Sequence, residues 1–205
     1  MSADTPLVIR FRDSMIMDYD KWHDGIGYDL DAIAEAGPSE RAAIEAMVIA
    51  HQPRDWRDVE ALAALDTPAA RAALIEAADG ADAQTRMAVA RHAPRLMSDK
   101  KRAASLVRAI ETTAPFEGLA AILDEAENFH PPEVITALLR AARGGDGEAA
   151  VNIAALLLYL HGRAESAFDW DQRPFFLRFN TDDRAQRDAA YRDLCAMIGV
   201  DPELK

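Results

Sequence analysis

A run of carboxylates near the start of the chain is the first place where chemistry could occur. Six aspartates surround a single lysine, Lys21, and aromatic residues are interleaved with them. The aspartates are Asp13, Asp18, Asp20, Asp24, Asp29 and Asp31. Carboxylate oxygens bind Ca²⁺ and Mg²⁺, but no twelve-residue calcium loop with its terminal Glu fits this run. A solvated, helix-capping set is therefore favoured over a metal site.

The same run also suits a protein partner. Aromatic side chains supply contact area at interfaces, and carboxylates steer and orient a basic partner. We therefore predict an exposed recognition surface made of Asp18, Tyr19, Asp20, Trp22, Asp24 and Tyr28. The competing expectation is that Trp22 and Tyr28 only cap the first pair of helices.

His23-Asp24 resembles the His-Asp pair of metal-dependent phosphohydrolases, which are also all-α proteins. That family's site requires another histidine upstream, and His23 is the first histidine of this chain. A capping or surface role is therefore favoured. The alternative kept open is an enzyme or a small-ligand-binding protein with a pocket near Trp22, His23 and Asp24.

The most distinctive string of the chain is the aromatic segment from Phe168 to Phe179. Large side chains in this position suit a cap over the last apolar face of a helical stack. Trp170 and Arg173 are also candidate partner-binding anchors, because Trp and Arg dominate the energetics of interfaces. One segment can do both, with some side chains in the core and others exposed.

Other reactive residue types show no catalytic arrangement. Cys195, the single cysteine, lies on a predicted apolar helix face, and the remaining histidines lack the i, i+4 spacing of a helical zinc pair. The sequence has no nucleophile-elbow, phosphate-binding or dinucleotide-binding motif. We predict no catalytic residue, no cofactor and no metal.

Composition limits the partners and the compartment. The net charge of −12 repels phosphate, which argues against nucleic acid and anionic membranes as partners. The apolar stretch from Val151 to Leu160 is too short to span a bilayer. The start of the chain lacks a signal-peptide pattern, and one cysteine cannot form an intrachain disulfide, so we expect a cytoplasmic protein. The excess of Arg over Lys, with abundant Ala, is associated with bacterial genomes.

Two sets of apolar segments recur through the middle of the chain. Leu74, Leu106 and Leu138 begin similar segments at intervals of 32 residues. A second set with the same interval begins at Met87, Leu119 and Val151. Turn residues separate the sets at Asp79-Gly80, Ala114-Pro115 and Gly144-Gly145-Asp146-Gly147. The pattern predicts helix pairs that bury their apolar faces by stacking, with no β-sheet in residues 38–162.

The region from Pro38 to Gly162 resembles a HEAT-like α-solenoid of the short bacterial type. The predicted fold is thus all-α: HEAT-like two-helix repeats with a period of about 32 residues, between aromatic-rich ends that do not repeat. Three segments of one continuous domain are expected: an N-terminal cap (1–37), the repeats (38–164) and a C-terminal capping segment (165–205). Residues 7–11 are predicted to be extended. Helices are predicted to begin at Pro38, at Asp55 as an N-cap, at Thr67-Pro68, and after Thr181-Asp182-Asp183.

The resemblance implies a binding scaffold. The leading hypothesis is a non-catalytic protein of the bacterial cytoplasm that binds another protein with a basic surface. A specific version is an immunity-type inhibitor of a cationic toxin such as a nuclease. A self-associating adaptor, for example a homodimer, is a further alternative beside the enzyme or ligand-binding protein.

Overall fold

A computed structural model describes residues 5–80, 82–112, 118–145 and 147–203. These residues form thirteen α-helices and three short 3₁₀ turns, with no β-strand among them. The predicted all-α class is therefore confirmed. The chain divides into two compact units, Met1–Arg102 and Ala103–Lys205, and the boundary falls within helix α8. Among the helices described, none combines the length and the apolar character needed to cross a membrane.

Unit 1 contains seven complete helices and the start of an eighth. They are α1 (Pro6–Ser14), α2 (Tyr19–His23), α3 (Leu30–Glu35), α4 (Pro38–Ala50), α5 (Trp56–Leu65), α6 (Pro68–Asp79), α7 (Ala83–His92) and α8 (Asp99–Thr112). Helix α5 is central, because it packs against α3, α4, α6 and α7. Helix α1 packs against α3 and α4.

Side-chain caps explain where many of these helices begin. A side-chain oxygen of the residue before the helix accepts a backbone N–H of the first turn, which satisfies a donor that has no partner within the helix. In unit 1 this cap is supplied by Asp18, Asp29, Asp55, Thr67 and Asp82. The prediction that Asp55 caps α5 is confirmed.

The prediction of an extended segment at residues 7–11 is wrong, because these residues lie in α1. The helix begins at Pro6, and proline is tolerated in the first helical turn, where its missing N–H is not needed. Val8 and Phe11 lie one helical turn apart on the same face and are both buried. Burial of that face against α3 and α4 outweighs the β-propensity of the Val-Ile pair.

Unit 2 contains the rest of α8, followed by α9 (Leu119–Asn128), α10 (Pro132–Gly144), α11 (Gly147–Leu160), α12 (Arg173–Phe176) and α13 (Arg184–Ile198). Helix α11 is the core helix of this unit. It buries eight residues and packs against α9, α10, α12 and α13. The predicted final helix is confirmed as α13, with Asp183 as its cap and with Tyr191, Leu194, Cys195 and Ile198 buried.

The three leucines that define the repeat are each buried, Leu74 in unit 1 and Leu106 and Leu138 in unit 2. They lie on α6, α8 and α10, the first helices of the predicted pairs. No strand interrupts the described part of residues 38–162. The turn predicted at Ala114-Pro115 lies outside the described residues. The 32-residue repeat and the division into three segments stay predictions.

Candidate functional site

An exposed aromatic and acidic surface surrounds α2 in unit 1. We call it the N-terminal patch and define it by the side chains of Ile16, Met17, Asp18, Tyr19, Asp20, Trp22, Asp24 and Ile26, all of them exposed. Helix α2 buries none of its residues. Tyr19 is 71% exposed and Trp22 is 64% exposed, so the two largest side chains of the helix face solvent.

The aromatic rings of the patch contact one another rather than the core. The Tyr19 and Trp22 ring centroids lie 6.2 Å apart, at an interplanar angle of 41°. The His23 ring stacks on Tyr19 with centroids 5.7 Å apart, and His23 Nδ1 lies 3.0 Å from Asp24 Oδ1. The predicted patch residues Tyr19, Trp22 and Asp24 are thus brought together on one short helix and its C-cap.

The charge of the patch is almost entirely negative. Asp18 accepts the backbone N–H of Lys21 at 2.8 Å, as expected of an N-cap. The ammonium of Lys21 donates to the carbonyl of Ile16 at 2.9 Å, so the one lysine of the segment is held by the backbone. Asp20 has no ion-pair partner within the described part of the chain. Its carboxylate is available to a cation from outside.

Tyr28 is not part of the exposed surface, and that element of the prediction is wrong. Its side chain is only 6% exposed, and its hydroxyl donates to Asp58 Oδ1 at 3.2 Å. The Tyr28 ring also packs edge to face on Phe11, with centroids 5.9 Å apart. Tyr28 packs against the helices of unit 1, as the competing capping expectation states for this residue. Trp22 does not, because its side chain is exposed.

Asp58 is a fully buried carboxylate on α5, and its hydrogen bonds explain how it is accommodated. It accepts from the Tyr28 hydroxyl, from the backbone N–H of Asp55 at 2.9 Å, and from His51, whose Nδ1 lies 2.9 Å and 3.0 Å from its two oxygens. A buried charge is tolerated only when such donors replace water. Burial and the adjacent Asp58 carboxylate raise the pKa of the Tyr28 phenol, so the phenol stays protonated as a donor.

A second contact fixes the chain just after α2. Arg57, itself buried, donates from Nε to the carbonyl of Ile26 at 2.9 Å and lies over the Trp56 ring at 4.6 Å. Gly27 packs closely there, because a Cβ at this position would lie 3.0 Å from a Glu60 oxygen. The backbone beneath the patch is therefore held in place by α5, although α2 itself contributes nothing to the core.

These anchoring residues were missed by sequence reasoning. Asp58 lies 30 residues from Tyr28, and a contact over that distance leaves no local pattern. The available signal was the polar content of the first turn of α5. Arg57 and Asp58 lie in the first turn of a helix whose residues 61–65 are all apolar, and both are buried.

The C-terminal aromatic segment divides between core and surface. Phe176 and Phe179 are fully buried in unit 2, as the capping interpretation expects. Trp170 is 72% exposed, and the Arg173 guanidinium lies 5.4 Å from the centre of its ring. Phe168 packs edge to face on Trp170 at 5.5 Å. The two predicted binding residues, Trp170 and Arg173, therefore form an exposed pair.

A cleft of about 450 Å³ lies in unit 2 between α8, α9, α10 and α11. Its wall is mainly apolar, with Ile122, Leu138 and Ile153, and it includes Arg140 and Glu111. The volume falls within the range of small-molecule pockets. None of the site residues predicted from the sequence lines this cleft. Its apolar residues are indistinguishable from core positions in a sequence.

Titratable groups elsewhere in the described residues form no set of three or more that could hold a metal ion. His23 and Asp24 contact each other and protrude into solvent. Cys195 is buried in unit 2, and burial raises the pKa of its thiol, which disfavours the nucleophilic thiolate.

Comparisons with protein-family models, with characterised proteins and with solved structures found no match to this chain.

Proposed function

We propose that this protein is a non-catalytic binding protein that recognises another protein, one with a basic surface, through the N-terminal patch. The observation that carries the proposal is that α2 presents Tyr19 and Trp22 to solvent and buries nothing. Exposed apolar side chains grouped together, with a polar rim, are typical of interaction sites. The fixed backbone around Ile26 and Tyr28 would limit the ordering cost of binding.

Charge selects the kind of partner. Asp18, Asp20 and Asp24 are exposed in the same segment as the exposed rings, and the ammonium of Lys21 is held by a carbonyl. Such a surface attracts cations and repels phosphate groups. A basic protein surface fits it, whereas nucleic acid and anionic lipid do not.

The overall charge of −12 supports a specific version of this function. A small acidic protein can neutralise a cationic toxin, such as a nuclease, and long-range attraction speeds the encounter. We therefore propose an immunity-type inhibitor, acting in the bacterial cytoplasm. The composition and the single, buried cysteine support that compartment.

HEAT-like repeats in residues 38–164 are the scaffold that we propose for this function. Support comes from the alternation of helices and short connections, and from burial of Leu74, Leu106 and Leu138 at intervals of 32 residues. Proteins of this kind act mainly as binding scaffolds, which agrees with a recognition surface at one end of the sequence.

Parallel capture from lysate of the source cell tests the proposal. Three baits are compared: the wild type, a patch variant with Asp18→Asn, Asp20→Asn and Asp24→Asn, and a control variant with Glu165→Gln, Asp171→Asn and Asp182→Asn. Both variants lose three negative charges, and all six positions are exposed. Asn can still cap α2 at position 18.

The proposal expects a basic protein that is retained by the wild type and the control variant and is lost from the patch variant. Equal retention by all three baits, or equal loss from both variants, would refute the patch as the recognition site. Dimerisation of the wild type alone on sizing would favour the self-associating adaptor. Bound small molecule or metal, lost on changing His23→Ala, would favour the enzyme or ligand-binding alternative.

A further inference from the structure

Arginine over an aromatic ring is a recurrent contact in this chain. The Arg57 guanidinium lies 4.6 Å from the centre of the Trp56 ring, and Arg173 lies 5.4 Å from that of Trp170. Similar pairs join Arg143 to Tyr191 and Arg178 to Phe175. A guanidinium above a ring is attracted by the negative face of the π-system.

Trp22 is the remaining one of the three tryptophans, and it lacks this contact. Within the residues that the structure describes, no guanidinium lies over its ring. Its side chain is exposed, with Tyr19 on one side at a tilted angle. The carboxylates of Asp18, Asp20 and Asp24 lie in the same short segment. An open indole face in an acidic setting has the features of a cation-binding site.

The lysine of the segment cannot fill that position in the observed conformation. Its ammonium is hydrogen-bonded to the Ile16 carbonyl, which precedes α2. Arg10 on α1 forms ion pairs with Asp29 at 2.8 Å and with Glu35 at 3.2 Å. The exposed face of Trp22 is therefore open to a cation from another molecule.

We propose that an arginine side chain of the partner stacks on Trp22 and donates its N–H groups to the patch carboxylates. This inference rests on the proposed function and specifies the chemistry of its recognition site. Arginine fits better than lysine, because a planar guanidinium can stack on the ring while its five N–H donors reach carboxylates at its edge. Asp18, which lies four residues before Trp22 and therefore on the same side of α2, is the principal acceptor, because its cap to Lys21 uses only one carboxylate oxygen.

Three synthetic hexapeptides separate the contributions: hexa-arginine, hexa-lysine and hexa-citrulline. The first two have the same charge, and citrulline keeps the planar shape of arginine without its charge. Binding is followed by the indole N–H resonance of Trp22 in a ¹⁵N-labelled full-length chain, with Kd measured by titration. Trp22→Leu is the test variant, and Ile75→Ala is the control, because it also shortens an exposed apolar side chain but lies outside the N-terminal patch.

The wild type should bind hexa-arginine more tightly than hexa-lysine, by about two- to fivefold, and hexa-citrulline least. Trp22→Leu should abolish that preference and Ile75→Ala should keep it. An arginine preference that survives in Trp22→Leu would overturn the inference, as would hexa-arginine binding without a shift of the Trp22 resonance.

The two proposals fail separately. In one outcome, the Asp18→Asn, Asp20→Asn, Asp24→Asn variant no longer binds either cationic peptide, and Trp22→Leu keeps the arginine preference. That outcome refutes only the arginine stacked on Trp22. Full binding of both cationic peptides by that triple variant removes the proposed function as well, because the patch would then not select for charge.

Discussion

At the scale of single residues, the hydrogen bond from Tyr28 to the buried Asp58 joins the segment after α2 to α5. Tyr28→Phe removes the donor and keeps the ring. Because the carboxylate still accepts hydrogen bonds from His51 and the Asp55 N–H, the free energy of unfolding should fall by roughly 1–3 kcal/mol rather than more. Urea denaturation measures this free energy.

Tyr19→Phe, which removes an exposed hydroxyl, is the control and should change the free energy of unfolding by less than about 0.5 kcal/mol. Equal effects of the two substitutions would contradict the buried hydrogen bond.

Alkaline pH should reveal the same contact. The folded-state pKa of Tyr28 is raised by burial and by Asp58, whereas the pKa of an unfolded tyrosine is about 10. The stability contributed by the protonated phenol is therefore complete below pH of about 10 and is lost as the pH rises through the folded pKa. The difference in unfolding free energy between the wild type and Tyr28→Phe should accordingly stay constant from about pH 8 to about pH 10 and shrink above about pH 10. A difference that stays constant would show that the phenol titrates alike in both states.

Residues whose role is local could be predicted from the sequence, and those with distant partners could not. Asp55 and Asp183 cap the helices that follow them, because a cap depends only on the next three residues. Tyr28 was predicted to lie on the surface because it is interleaved with aspartates in the sequence. Its burial depends on Phe11 and on Asp58, each supplied by another helix.

At the scale of elements, α2 differs from the helices around it because no part of it is buried. Replacing both Tyr19 and Trp22 by Ala should therefore change the free energy of unfolding by no more than about 0.5 kcal/mol. The matched comparison is Phe11→Ala on α1, which removes a fully buried ring and should cost about 3–5 kcal/mol. Thermal and urea unfolding distinguish the two. A large loss from the α2 variant would assign Tyr19 and Trp22 to the core rather than to recognition.

The leucines that define the repeat give an element-scale test of packing. Leu74→Ala, Leu106→Ala and Leu138→Ala should each lower the free energy of unfolding by about 2–5 kcal/mol, because each removes a buried side chain. Ile75→Ala, beside Leu74 but exposed, is the control and should cost less than about 0.5 kcal/mol. If Leu106→Ala lowers the free energy of unfolding as little as the control does, the 32-residue repeat is contradicted.

Helix positions could be predicted from the sequence where an apolar pattern follows a helix-start signal. Helices α4, α5, α6 and α13 lie where Pro38, Asp55, Thr67-Pro68 and Asp183 place their starts. Helix α1 was missed because residues 7–11 are rich in β-branched residues, and tertiary burial of Val8 and Phe11 decides their conformation. The exposed positions of Tyr19, Trp22 and Asp24 were predicted from aromatics interleaved with aspartates in the sequence, whereas Ile16, Met17 and Ile26 were not predicted.

At the scale of the whole molecule, the net charge of −12 acts on any partner before contact. Long-range attraction raises the association rate and falls with ionic strength, whereas apolar contact mainly sets the dissociation rate. Loss of the patch carboxylates should thus slow association, and loss of Trp22 should speed dissociation. Stopped-flow or surface-binding kinetics with the captured partner separate the two, and identical rate changes in both variants would contradict this division.

The most direct test of the recognition surface is the salt dependence of binding to the captured partner. Kd is measured from about 0.01 M to about 1 M salt, over which the screening length falls from about 30 Å to about 3 Å. The chains compared are the wild type, the Asp18→Asn, Asp20→Asn, Asp24→Asn variant, and the Glu165→Gln, Asp171→Asn, Asp182→Asn control. With melting temperatures unchanged, the patch variant should bind more weakly at low salt and depend less on salt, while the control should follow the wild type. Identical Kd values for the patch variant and the wild type across that range would contradict recognition through the N-terminal patch.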